Sequence, residues 1–382
     1  MAGSAWRCST PRPARSPPPR IPPRPAAASH RRPPRLPTDA SRPSHGRVIR
    51  RDDFAPSRWL PGPHLPTIWA SLWRRPPPLE LDFERLELPD GDFVELAWTR
   101  PCEAPLVIVL HGLEGSHASR YARALLALLE RAGFRGVLLQ FRGCGGSPNR
   151  LARSYHSGDT ADLAHLVEVL TRRAGTPPCA AVGYSLGGNV LLKWLGEQGA
   201  AAPLAAAAAV SVPFDLAACA DRLGRGFSRL YQRQLVTSMQ RKYRAKFADR
   251  AGPLQAAEIA RHGTFWAWDD AVTAPLHGFR DVHDYYARSS CRQFLRDIRV
   301  PTLIVQADDD PFVPASAIPR ADELGPPVTL ELTRGGGHVA FIGGTSPWHH
   351  GYWCEPRLVD FLCRTARPAR ASTGGAGYNA AP

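Results

Sequence analysis

The chain has 382 residues, 43% of them hydrophobic, and a formal net charge of +14. This length suffices for one large domain with an insertion, or for two small domains. Residues 1–50 hold eleven Arg and one Asp, a net +10, so the rest carries only about +4, which is ordinary for a soluble domain and gives no indication of a nucleic-acid partner.

Residues 1–50 are predicted to form a disordered basic tail. They contain twelve of the 39 prolines and no apolar periodicity, so they cannot bury enough surface to fold. We expect a solvated extension or a start site assigned too early, and peripheral electrostatic contact with an anionic surface is the alternative. No secretory signal and no run of roughly 18 apolar residues occurs, which predicts a cytoplasmic protein without a membrane span.

Strand and helix patterns alternate after the tail. A hairpin is predicted first, with strands at 83–88 and 93–98 around Asp90-Gly91. Asp159 is expected to cap a later helix. Apolar strands separated by helices predict an α/β class, with a mostly parallel sheet and helices on both faces. The further strands are predicted at 106–110, 137–141, 180–184 and 205–212, and the helices at 119–132, 159–172 and 188–195.

The alternation breaks between about 213 and 299. A basic helical pattern at 231–247 precedes an aromatic-rich stretch at 265–286, and we expect the whole segment to be a helical cap inserted between two strands. The core pattern then resumes with strands at 301–306 and 328–332 and an amphipathic helix at 353–363. The folded α/β domain is therefore predicted to span 51–366, with a flexible tail at 367–382.

A Gly-x-Ser-x-Gly motif at 183–187 lies between a predicted strand and a predicted helix. In that setting a tight turn exposes the serine hydroxyl, and Gly183 and Gly187 avoid the clashes that side chains would create. Ser185 is therefore predicted to be the nucleophile of a serine hydrolase with an α/β-hydrolase fold. The alternative is a glycine-rich turn with a capping serine.

A serine nucleophile needs a general base, which follows the acid in the chain order of this fold. Three of the thirteen histidines lie beyond the strand at 301–306. His338 is the preferred base because it follows three glycines just after the last predicted strand. His349 and His350 are expected to be surface loop residues, and His111, which precedes the nucleophile, is expected to have a structural role.

The acid should follow the strand at 301–306, where three aspartates are adjacent. Asp310 is favoured because it directly precedes a Pro-x-x-Pro turn, and Asp309 is the alternative. For the oxyanion hole we expect the backbone N–H groups of Leu186 and Leu113, the latter in the glycine-containing loop 111–115. The eight cysteines are scattered without ligand-like spacing, so neither a metal nor a cofactor is expected.

Taken together, these motifs resemble the YheT-like family of α/β-hydrolases, bacterial relatives of the eukaryotic ABHD esterases and acylglycerol lipases. One departure is Pro66, where the family usually has Gln. The resemblance implies a carboxylic ester hydrolase for short-chain or monoacylglycerol-like esters, with Ser185, Asp310 and His338 at the family's charge-relay positions. It rests on segments in family order at 63–67, 111–115, 141–144, 155–160, 183–189, 269–279, 309–312 and 336–338.

Two other functions stay open at this point. The same triad in a pocket that excludes water would transfer the acyl group to an alcohol or a thiol. A protein that kept the fold without catalysis would only bind its ligand. A small-molecule ester is the expected partner, whereas the acyl-chain length and the oligomeric state are not predicted.

Overall fold

The computed structural model describes residues 44–100, 103–255 and 257–366. Its strands are β1 (Arg47–Arg51), β2 (Asp82–Glu87), β3 (Phe93–Trp98), β4 (Leu106–Leu110), β5 (Arg135–Gln140), β6 (Ala180–Tyr184), β7 (Ala206–Val210), β8 (Thr302–Ala307), β9 (Val328–Thr333), β10 (Ile342–Ser346) and β11 (His349–Tyr352). Its helices are α1 (His64–Leu72), α2 (Arg120–Arg131), α3 (Ala161–Ala174), α4 (Leu186–Gln198), α5 (Leu216–Leu223), α6 (Arg229–Lys246), α7 (Phe265–Trp268), α8 (Ala274–Leu276), α9 (Val282–Ser289) and α10 (Cys354–Thr365).

A nine-stranded sheet organises the described residues, in the order β1-β9-β8-β7-β6-β4-β5-β3-β2. β3 runs antiparallel to both of its neighbours, and the other neighbouring pairs are parallel. β6 and β7 are buried along their whole length because their residues are apolar on both faces. Helices α3 and α4 cover one face of the sheet, and α2 and α10 cover the other.

A helical insertion, residues 211–301, separates β7 from β8 and contains α5 to α9. Its apolar side chains form a cluster of their own, which includes Tyr231, Val236 and Tyr285. That cluster packs against Leu113 and Phe312, which belong to loops of the sheet domain. The insertion therefore lies over the loops that follow β4 and β8.

The predicted end of the basic tail is wrong by a few residues. Arg47 to Arg51 form β1, which pairs in parallel with Thr329 to Thr333 of β9. β1 occupies the edge of the sheet and is half exposed, so its short Arg-rich sequence lacks the apolar run of a central strand. Residues 1–43 of the predicted tail, and the predicted C-terminal tail at 367–382, lie outside the described residues.

Two local expectations also need correction. Asp159 does not cap α3, because the helix begins at Ala161 after Thr160, and the Asp159 carboxylate instead accepts a hydrogen bond of 2.6 Å from Nη2 of Arg153. His349 and His350 are exposed, but they lie in β11, which forms an antiparallel hairpin with β10 rather than a loop. Glycines in β10 obscure the alternation that would have predicted this hairpin.

Candidate active site

Ser185 lies in the tight turn between β6 and α4. Its backbone angles, φ 50° and ψ −119°, are rarely adopted by residues with a side chain and cost about 1–3 kcal/mol. The glycines of the motif are needed for close packing, because a Cβ on Gly183 would collide with the Gly187 carbonyl oxygen. A Cβ on Gly187 would lie 2.5 Å from the carbonyl oxygen of His111. The turn therefore presents the serine hydroxyl at the carboxyl end of the sheet.

Ser185, His338 and Asp310 form one hydrogen-bonded chain. Nδ1 of His338 lies 2.9 and 3.1 Å from the two carboxylate oxygens of Asp310, and Nε2 lies 3.0 Å from the Ser185 hydroxyl. A carboxylate can only accept, so Nδ1 carries the proton and Nε2 is left to accept from the hydroxyl. The structure thus brings together the three residues that the sequence analysis selected.

Asp310 is held by two further donors, one in β8 and one in the loop that follows it. Its Oδ1 accepts from the backbone N–H of Phe312 at 2.8 Å, and its Oδ2 accepts from Nε2 of Gln306 at 3.1 Å. The Gln306 amide is itself oriented, because its Oε1 accepts from the Val212 N–H at 3.0 Å. The Asp310 side chain is fully buried, so these contacts determine its orientation.

The neighbouring aspartates have different partners. Asp308 accepts from the Gly335 N–H at 2.8 Å, and Asp309 accepts from the Gly337 N–H at 2.9 Å. Burial raises the pKa of Asp309 above its ordinary value. Both residues therefore shape the glycine loop that precedes His338, whereas Asp310 contacts the imidazole itself.

Two contacts that the sequence analysis missed hold the His338 loop. The backbone N–H of His338 donates to Oγ1 of Thr67 at 2.9 Å, and the Thr67 hydroxyl donates to the Pro63 carbonyl at 2.7 Å. The Phe312 ring stacks on the imidazole with centroids 4.0 Å apart. Thr67 and Phe312 belong to the segments 63–67 and 309–312 of the family resemblance, and those segments were the available signal in the sequence.

The loop 111–115 lies beside Ser185. A Cβ on Gly112 would be 3.2 Å from Cβ of Ser185, and Leu113 and Leu186 line the same cavity as the serine. The N–H of Gly112 donates to the Tyr121 hydroxyl, but within the described residues the Leu113 N–H has no hydrogen-bond partner. Leu186 is the first residue of α4, so its N–H has no intrahelical acceptor.

Glu114 connects this loop to the insertion, a link that no local sequence pattern indicates. Its carboxylate accepts from the Ser238 hydroxyl at 2.7 Å and from Nζ of Lys242 at 3.2 Å, both on α6. The Tyr155 hydroxyl donates to the same carboxylate at 3.0 Å and accepts from the Glu114 N–H at 2.9 Å. Glu114 also has a positive φ of 58°, which fixes the turn directly after Leu113.

His111 is fully buried, and its ring stabilises the loop 111–115 through two hydrogen bonds. Its Nε2 accepts from the Phe141 N–H at 3.1 Å, so Nδ1 carries the proton and donates to the Gly112 carbonyl at 2.7 Å. Burial lowers the pKa of His111 to about 4, which keeps the ring neutral near pH 7. These contacts give the ring a structural part in the loop.

A cavity of about 450 Å³ opens above Ser185. In the described ranges, no group of three or more His, Cys, Asp or Glu residues could hold a metal ion. None of the helices described there is both long enough and apolar enough to cross a bilayer. The apolar side chains that line the cavity come mainly from the insertion, and include Leu216, Leu223, Leu235, Met239, Phe265, Trp268, Val272 and Leu276.

Comparison with known proteins finds relatives among the α/β-hydrolases. A family model described as alpha/beta hydrolase fold matches residues 105–345. YheT of Escherichia coli (strain K12), named as a candidate esterase, is 44% identical over 81% of this chain and 93% of its own length. Phospholipase ABHD3 of Mus musculus is 30% identical over 74% of each chain. The solved esterase Pf2001 of Pyrococcus furiosus matches 76% of this chain and 92% of its own at 19% identity, with a TM-score of 0.49.

Proposed function

Because the chain belongs to the YheT-like family of α/β-hydrolases, we propose that it is a serine esterase that cleaves short-chain or monoacylglycerol-like carboxylic esters. The observation that carries the proposal is the hydrogen-bonded chain from the Ser185 hydroxyl through His338 to the buried Asp310 carboxylate. The order of these residues along the sequence and their positions after β6, β8 and β9 fit the same reaction.

In the first half of this reaction, Ser185 Oγ attacks the ester carbonyl carbon while Nε2 of His338 takes the hydroxyl proton. Asp310 stabilises the imidazolium that forms. The negative charge on the carbonyl oxygen is held by the backbone N–H groups of Leu113 and Leu186, each worth roughly 10²–10³ in rate. The tetrahedral intermediate collapses when His338 gives its proton to the leaving alkoxide, and an acyl-enzyme remains on Ser185.

In the second half, a water molecule gives a proton to His338 and attacks the acyl carbon, and Ser185 is released as the free hydroxyl. Ser185, His338 and Asp310 supply the nucleophile, the base and the acid, and no oxidation or reduction occurs, so no step requires a redox cofactor. An esterase transfers the acyl group to water, whereas an acyltransferase transfers it to an alcohol or a thiol. Product analysis in the presence of a competing alcohol such as glycerol distinguishes the two.

The cavity supports an apolar acyl group of moderate size. Its volume of about 450 Å³ falls in the range of roughly 300–1,000 Å³ that is typical of small-molecule sites. Most of its apolar side chains belong to the insertion 211–301, which we infer to be a cap that sets the acyl-chain length. The names of the relatives, an esterase and a phospholipase, also support an ester substrate.

The test is hydrolysis of p-nitrophenyl acetate and butyrate by the wild type and by Ser185→Ala. We expect Ser185→Ala to lose nearly all turnover with an unchanged melting temperature, whereas Ser71→Ala, on the exposed side of α1, keeps wild-type rates. Retained hydrolysis by Ser185→Ala would refute the proposal. A series of longer p-nitrophenyl esters then gives the chain length at which the rate falls, and that length measures the depth of the cavity.

A further inference from the structure

Six of the eight large apolar side chains that are exposed in the described part of the chain lie around α1. Leu65 and Leu72 are 45% and 53% exposed and lie two helical turns apart on one side of α1, followed by Trp73 at 55%. The exposed Phe227 ring lies 4.5 Å from the ring of His64, centroid to centroid, so the start of α6 adjoins the same helix.

The β10–β11 hairpin extends this region. His350 packs against Trp69 of α1 with centroids 6.2 Å apart, and the hairpin turn carries Trp348, which is 85% exposed. Exposed apolar groups are normally scattered singly on monomeric proteins, so such a concentration needs an explanation. We name this region the α1 face, and define it by Leu65, Leu72, Trp73, Phe227, Leu230 and Trp348.

The segments that build the α1 face have no acidic residue. Residues 54–79, 222–248 and 334–354 contain neither Asp nor Glu, although the chain has 34 of them. Eight arginines in these segments are exposed and, in the part of the chain that the structure describes, have no ion-pair partner. They are Arg58, Arg75, Arg225, Arg229, Arg233, Arg241, Arg244 and Arg334.

We propose that the α1 face docks on an anionic lipid bilayer. Leu and Trp side chains enter the interface between headgroups and acyl chains, and arginines beside them are attracted to anionic headgroups. A second copy of the chain fits less well, because pairing two α1 faces would bring unneutralised arginines together. Nucleic acid fits less well too, because it offers no apolar partner to Leu65, Leu72 and Leu230.

The position of the α1 face connects it with the reaction centre. Thr67, on the inner side of α1, accepts the hydrogen bond from the His338 N–H. Docking would hold the reaction centre next to the bilayer, where monoacylglycerol-like esters are dissolved. That last step rests on the proposed esterase function, whereas lipid binding itself does not depend on it.

The test is sedimentation of the full chain with vesicles of phosphatidylcholine alone, or of phosphatidylcholine mixed equally with phosphatidylglycerol. We expect binding to the anionic vesicles and much weaker binding to the neutral ones. Each arginine near the surface contributes about fivefold, so Arg229→Gln with Arg233→Gln should weaken binding roughly 25-fold. Leu72→Ser with Trp73→Ser should weaken it by at least about tenfold, since both apolar anchors are lost.

The matched control is Phe83→Ser, an aromatic side chain 59% exposed on β2, outside the α1 face, which should bind like the wild type. If the face variants bind the anionic vesicles as tightly as the wild type, the α1 face is not the lipid-binding element and the proposal is overturned. Absence of binding of the wild type to anionic vesicles would also overturn the proposal. So would a wild-type dimer that is lost in the face variants while their vesicle binding stays unchanged. Hydrolysis of p-nitrophenyl butyrate, a water-soluble ester, should remain intact in every face variant, which separates failure of docking from failure of catalysis or folding.

Discussion

Replacement of Asp310 by Asn tests the geometry of the proposed triad without changing its size. In one orientation the Asn oxygen still accepts from the Phe312 N–H, and the amide nitrogen takes the place of Oδ2, which lies 2.9 Å from Nδ1 of His338. The amide then donates to Nδ1, so the imidazole must carry its proton on Nε2. That tautomer cannot accept the proton of Ser185.

The same replacement has a measurable cost in stability. The amide nitrogen would face Nε2 of Gln306, which donates to Asp310 at 3.1 Å, so two donors meet. Gln306 cannot rotate freely to present its oxygen, because that oxygen accepts from the Val212 N–H. A buried polar group left without its partner costs about 1–3 kcal/mol, and the wrong tautomer costs roughly 10⁴ in kcat.

The assay is steady-state hydrolysis of p-nitrophenyl butyrate with urea unfolding of the same variants. We expect kcat to fall by roughly 10³–10⁴ for Asp310→Asn, with KM little changed. Asp309→Asn is the matched control, because its amide oxygen can still accept from Gly337 and it does not contact His338. A loss in kcat below about tenfold for Asp310→Asn, or an equal loss for Asp309→Asn, would refute this assignment of the acid.

Three further predictions concern the supports of the site. Glu114→Gln should lower kcat with little change in KM, because the contacts of the Glu114 carboxylate hold the turn next to Leu113. The loss should reach at most the roughly 10²–10³ that one oxyanion donor is worth, and an unchanged kcat would contradict this expectation. Arg142→Met should lower the free energy of unfolding by about 3–5 kcal/mol in urea titrations, because Arg142 contacts buried Asp162 at 2.6 Å; a loss under about 1 kcal/mol would refute it. Burial lowers the pKa of His111 in the folded protein to about 4, so the unfolded chain binds a proton more readily than the folded one. The free energy of unfolding should therefore fall by up to about 3 kcal/mol as the pH drops from about 6.5 to 4. His111→Gln should flatten the pH dependence of urea unfolding in that window, and an unchanged slope would count against it.

Local patterns were sufficient to predict the central strands and the tight turn at Ser185. β6 was predicted at its observed bounds because its residues are apolar on both faces and glycines follow it closely. The turn at Ser185 could also be predicted, since a Cβ at position 183 or 187 would collide with neighbouring backbone atoms and only glycine fits there. Periodicity and steric exclusion act within a few residues, so the sequence reports them directly.

Contacts between distant residues could not be predicted in this way. β1 is a strand because its partners Thr329 to Thr333 lie almost 300 residues later, and its own sequence is half polar. The contact between Glu114 and Lys242 spans 128 residues and depends on how α6 packs. Thr67 and His338 meet across 271 residues. The local sequence around each of these residues therefore does not indicate its distant partner.

The identity of the nucleophile is the central claim, and covalent labelling tests it most directly. The wild-type protein is treated with a fluorophosphonate probe, digested and mapped by mass spectrometry. We predict one phosphonyl adduct, on Ser185, formed at a rate that falls sharply in His338→Gln and disappears in Ser185→Ala. Absence of an adduct from the folded wild-type protein, or an adduct on another serine that persists in Ser185→Ala, would contradict the account.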